Sequence, residues 1–273
     1  MLGKLMKYEL KSTSRYLIPL YGALLLLALL NRFSAMWLHN SNQGVIDGLL
    51  MFFYVMLVIS VFAITAVSII LRFYHNLLGR EGYLMFTLPV STAANIFSKL
   101  FSSMIWAIAS LIMFILSLLL ITVTTPEVFS YSDLLISFRN NFGPDTGRAV
   151  FLFVETGLIC LLSLASGILS IYLSMSIGQL ANRQKLLLSV ATFIGLQFLI
   201  NTLGVLFMGL CSANLQNLLN LPLIRSLVNW FMSLSQIASA NFIIGVVIVG
   251  MLIFCALFYI PCHLLLQKKL NLA

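Results

Sequence analysis

LLMFFYVMLVISVFAITAVSIIL, residues 49–71, holds no charged side chain from end to end. A helix needs about 20 mostly apolar residues to cross the hydrocarbon core of a bilayer, so this run is long enough to span one. Five further runs share the pattern, at about 16–38, 104–124, 150–178, 186–210 and 241–265. At this density such runs have no soluble reading. The composition agrees: 61% of the chain is hydrophobic and 8% is charged, where a soluble domain averages roughly 45–50% and about 25%. The excess apolar surface must face lipid. The expected fold is an all-α integral membrane protein with six transmembrane helices, forming a single transmembrane domain over 1–273.

The charges between the runs predict orientation, since the cytoplasmic side of a membrane protein collects Lys and Arg. With the N-terminus inside, the inner segments hold Lys4, Lys7, Lys11, Arg15, Arg72, Arg80, Lys99, Arg183, Lys185, Lys268 and Lys269. The outer segments hold only Arg32, Arg139, Arg148 and Arg225. Both termini are therefore expected in the cytoplasm, and the net charge of +8 is a topology signal. It does not point to nucleic acid, because no basic patch is interleaved with aromatic residues. No small-x-small cleavage site follows the first run, so that run is expected to stay as a span. Cys160, Cys211, Cys255 and Cys262 form no CxxC or Cys/His cluster, and neither a metal site nor a disulfide framework is indicated.

Residues 2–15 read as an amphipathic helix at the inner interface. Lys4, Lys7, Lys11 and Arg15 fall on one stripe, with Leu2, Leu5, Met6 and Leu10 opposite. Glu9 is the exception, an acid projecting from the apolar side. It reads either as a charge satisfied within the helix or as a contact to a cytoplasmic partner. On the outer side, 125–148 is a hydrophilic loop, whereas 211–240 is too apolar for one. Pro222 should break that second segment into two half-helices at the outer interface. No internal sequence repeat is visible.

Within the spans, polar side chains are expensive and informative. Glu155 is the one acid clearly inside a run. Ser163, Ser166, Ser170 and Ser174 share an arc of roughly 100° with it on a helix. In the fifth run Gln197, Asn201 and Gly204 recur at i, i+4 and i+7. Small residues on such faces permit tight helix packing. Glu155, Ser166, Ser170, Gln197 and Asn201 are accordingly candidates for a translocation path or for a helix or subunit interface.

The break between the second and third runs is longer than a turn requires. It reads Gly79-Arg80-Glu81-Gly82-Tyr83-Leu84-Met85-Phe86-Thr87-Leu88-Pro89-Val90-Ser91, followed by Lys99. Pro89 disfavours helix at Leu88, and Ser91 can cap a new one. A short helix, a break and a restart along the inner surface would suit insertion into a pocket on a cytoplasmic partner.

In these residues the chain resembles the ABC-2 type permeases, the membrane subunits of ATP-binding-cassette exporters. Their loop after the second span pairs a charged couple and a Gly with a downstream Leu-x-x-Pro-[VI]-Ser and a Lys. Arg80-Glu81-Gly82 and Thr87-Leu88-Pro89-Val90-Ser91 with Lys99 match most of it, while Tyr83 stands where Thr is usual. The resemblance implies a coupling helix within 74–98, docked on an ATPase through Arg80, Glu81, Gly82, Tyr83 and Pro89, with Glu9 of the N-terminal helix beside it. It implies an outer re-entrant pair at 211–240. It also implies partners: two ATPase subunits, which would hold the ATP and magnesium, and a second permease copy or paralogue. The setting it implies is a bacterial cell membrane.

The chain itself has no GxxxxGK[ST] phosphate loop and no HExxH or GxSx motif within its runs, so no cofactor and no catalytic residue is expected in it. A secondary transporter would show repeats or broken spans at the midplane. That reading and a membrane-embedded immunity or regulatory subunit remain the alternatives. The few charges within the spans fit an amphipathic or hydrophobic cargo, such as an antimicrobial peptide or a drug.

Overall fold

A computed structural model describes residues 2–37, 43–75, 92–122, 146–180, 184–213 and 236–268, with a few single positions between them. They form six long helices: α1 (Leu2–Trp37), α2 (Gln43–Phe73), α3 (Thr92–Thr122), α4 (Thr146–Gly178), α5 (Lys185–Ala213) and α6 (Gln236–Lys268). Each is long and apolar enough to cross a membrane. The protein is an all-α, multi-pass membrane protein. Its helices expose large side chains such as Phe52, Phe53, Phe198 and Ile253, which suits lipid contact and would be untenable in water.

The chain divides into two compact units, one over 1–138 and one over 139–271. In the first, α1 packs against both α3 and α2. Its inward stripe is Glu9, Thr13, Leu17, Tyr21, Leu24 and Ala28, all buried and spaced three or four residues apart, as one face of a helix requires. Tyr54 and Val61 of α2 complete the buried cluster, with Trp106 and Met113 of α3 packed on it.

In the second unit α4 packs against both α6 and α5. Ala165, Ile168, Leu169, Tyr172 and Leu173 are buried on α4, and Phe258, Cys262 and Leu266 on α6. Gln184 precedes α5 with a φ of 57°, and Gly178 closes α4 against the new helix. A Cβ placed on Gly178 would lie 1.9 Å from Ser189 Oγ and 2.9 Å from the Lys185 carbonyl oxygen. Only glycine fits at that approach.

Two boundaries differ from the sequence expectation. Residues 2–15 are not a separate interfacial helix but the opening turns of α1, which runs on through Pro19. Nothing in 11–16 breaks a helix, and the buried stripe continues through the junction. The third span also begins earlier, at Thr92, not near 104. Hydropathy excluded Asn95, Ser98, Lys99, Ser102 and Ser103 from the span, yet all five are buried in the helix. The restart expected after Pro89 does fall at Thr92. Arg80, Glu81, Gly82, Tyr83 and Pro89 lie outside the described residues, as do most of 125–148 and 214–235. Within that last stretch Trp230 meets Phe242 of α6 edge-on, ring centroids 5.5 Å apart.

Candidate functional site

Two polar centres stand out, one in each unit. The first is built on Glu9. Its carboxylate takes Arg72 of α2 at 2.6 Å through Oε2 and Lys99 of α3 at 2.7 Å through Oε1. Arg72 Nη1 also donates to the Glu9 backbone carbonyl, which receives the Thr13 hydroxyl as well, at 3.0 Å. One acid thus joins three helices. The side chains of Lys99 and Glu9 are only 3% and 9% exposed. At that burial a charge is tolerable only when paired and hydrogen-bonded. This resolves the odd position of Glu9 on an apolar stripe. Its carboxylate is engaged inside the chain by cations of α2 and α3.

Further along the same unit a neutral junction repeats the design. Ser110 of α3 hydrogen-bonds Tyr21 Oη of α1 at 2.7 Å and Thr65 Oγ1 of α2 at 2.9 Å. About 10 Å beyond it along α3, by the helical rise, Ser117 meets Tyr54 Oη at 2.8 Å. At the end of the α1–α2 pair Ser34 donates to Asp47, and Asn31 Nδ2 reaches the Leu50 carbonyl at 3.4 Å. These partners were missed from the sequence. A signal was present, since Ser103, Ser110 and Ser117 recur every seven residues and must share one helix face.

The second centre is a partly open cavity of about 200 Å³ within the second unit. Ser166, Gly167 and Ser170 reach it from α4, Gln197 and Ile200 from α5. Met251, Phe254 and Phe258 line it from α6. Three of the five candidate path or interface residues, Ser166, Ser170 and Gln197, therefore meet at one place. Asn201 does not, being exposed one turn further along α5. Glu155 does not either. It sits three turns before Ser166, and its buried Oε2 has no hydrogen-bond partner among the described residues.

The serines of this unit mostly bond their own helix. Ser166 donates to the Ser163 carbonyl at 2.9 Å, and Ser170 to the Gly167 carbonyl at 2.8 Å. That spends their donors and leaves oxygen lone pairs facing the cavity. Gln197 is different: no hydrogen bond to its amide occurs among the described residues. The cavity can therefore offer a donor and acceptors within apolar walls, which is binding chemistry. Among the described residues no group of three metal-ligating side chains occurs. No protein-family model matches the chain, and neither the curated proteins nor the solved structures yield a match.

Proposed function

We propose that this chain is the membrane-spanning permease subunit of an ABC-2 type exporter, moving an amphipathic or hydrophobic cargo outward on energy from a separate ATPase. The observation that carries the reading is the anchorage of the segment between α2 and α3. The chain leaves α2 just past Arg72 and enters α3 at Thr92, about two turns before Lys99, and both cations close on Glu9 of α1. In the sequence the Arg80-Glu81-Gly82 and Leu88-Pro89-Val90-Ser91 motif falls between two helices, both clasped to a third. A displacement of a docked segment would be felt by three spans together, as a motor-driven subunit requires.

In this reading the termini are cytoplasmic, the membrane is the cell membrane of a bacterium, and two ATPase subunits bind ATP and magnesium. A second permease copy or paralogue completes the assembly. Glu81 accepts charge-assisted hydrogen bonds from a basic pocket on the ATPase, and Gly82 permits close backbone approach.

The test is co-purification of the ATPase encoded by a neighbouring reading frame, with export measured beside it. Glu81→Ala and Gly82→Trp should each reduce retained ATPase and export at least tenfold while membrane insertion holds. Normal retention and normal export in both variants would overturn the reading.

A further inference from the structure

We infer that the cavity between α4, α5 and α6 is a binding site for a planar aromatic ring carrying an N–H or O–H, of the indole or phenol class. Its size comes first. About 200 Å³ exceeds the roughly 150 Å³ that suffices for benzene in an apolar protein cavity, and leaves room for one or two fused rings. The walls come second. Phe254 and Phe258 present ring surfaces and Met251 a polarisable thioether, all favourable neighbours for an aromatic guest.

The polar lining selects within that class. The Gln197 amide has no hydrogen-bond partner among the described residues. It lies inside a span, where an unpaired polar group is disfavoured. A lipid acyl chain would fill the walls and leave that amide unpaired. A ring with an N–H or O–H satisfies its carbonyl oxygen, and the Ser166 and Ser170 oxygens offer further acceptors. Gly167 lines the cavity and a Cβ added there meets nothing within 4 Å, so a large side chain at this position would grow into the volume.

The inference does not depend on an ATPase partner, and its test uses the full chain alone in lipid nanodiscs. Binding of 5-fluoroindole is followed by fluorine NMR, with 1-fluoronaphthalene as a guest of similar size lacking the N–H. Saturable 5-fluoroindole binding is expected. Gln197→Leu should weaken it about five- to tenfold, the range of one neutral hydrogen bond, and leave 1-fluoronaphthalene within twofold. Gly167→Phe should abolish binding of both guests. Absence of saturable 5-fluoroindole binding overturns the proposal, as does a Gln197→Leu effect equal for both guests. Should Gln197→Leu fail to fold, Gly167→Phe decides alone: undiminished 5-fluoroindole affinity in it overturns the site.

Discussion

The two helical units use the same arrangement, a first helix packed on the other two, but hold it with opposite chemistry. In the unit of α1, α2 and α3, polar side chains reach across helices: Glu9 to Arg72 and Lys99, Ser110 to Tyr21 and Thr65, Tyr54 to Ser117. In the unit of α4, α5 and α6, serines turn back on their own helix, as Ser163, Ser166, Ser170 and Ser174 do. Among the described residues the polar bonds between its helices include the Thr192 hydroxyl to the Ser174 carbonyl at 3.0 Å and Ser176 to Cys262 Sγ at 3.5 Å. Large apolar side chains such as Leu169, Tyr172 and Phe258 do the packing instead, with one close glycine contact among the described residues, Gly178 against Ser189. Lipid supplies no hydrophobic drive between helices, so association must come from close packing or from interhelical hydrogen bonds. Each unit relies chiefly on one of the two. Both units leave a cavity and unpartnered polar atoms, Asn95 Nδ2 in the first and Glu155 Oε2 in the second among the described residues; what separates them is the chemistry across their helices.

The contrast can be broken at its strongest point. Glu9→Gln removes the carboxylate on which the buried Lys99 and the largely buried Arg72 close, and breaking such a pair typically removes about 3–5 kcal/mol. We expect a loss of that order in denaturant titration of the chain in mixed micelles, with part of it regained on adding Lys99→Met. A loss below about 1 kcal/mol would mean that the clasp does not hold the first unit together.

In the second unit the corresponding weak point is steric. Gly178→Val should destabilise by about 2–3 kcal/mol, since its Cβ overlaps both Ser189 and the Lys185 backbone. Ser189→Ala should recover only a fraction, because the Ser189 Cβ, 2.8 Å away, and the backbone oxygen remain. Full recovery would show that the hydroxyl alone sets the packing.

The finest test pairs two serines. Ser110→Ala removes a three-helix junction and should lower stability by about 1 kcal/mol, the scale of interhelical hydrogen bonds in membranes. Ser163→Ala removes only a bond to its own helix's Cys160 carbonyl and should change stability by less than about 0.3 kcal/mol. Equal effects in the same titration would erase the distinction between the units.

Much of the candidate site could be read in advance and much could not. Ser166, Ser170 and Gln197 were marked by polarity inside apolar runs, and they do meet. Asn201 carried the same mark and lies outside the cavity, because residues four apart share a helix face without sharing a neighbour. Glu9 was marked as an acid on an apolar stripe, but its partners lie 63 and 90 positions away. No local pattern ties charges at such separations. Lys99 looked like a boundary residue because hydropathy averages over a window. A single lysine neutralised by a buried acid behaves as part of the span.

The sequence by itself determined that the chain crosses a membrane, how many long helices it has, and about where four of the six begin. Those features follow from the free energy of placing each segment in lipid, which is a sum over local residues. Tertiary structure decided that the N-terminal turns belong to α1, that the third span starts at Thr92, and that Glu9 pairs with Arg72 and Lys99. It also decided which serines bond across helices and which bond at home. Those outcomes depend on what stands opposite each side chain, and packing sets that between segments far apart in the chain.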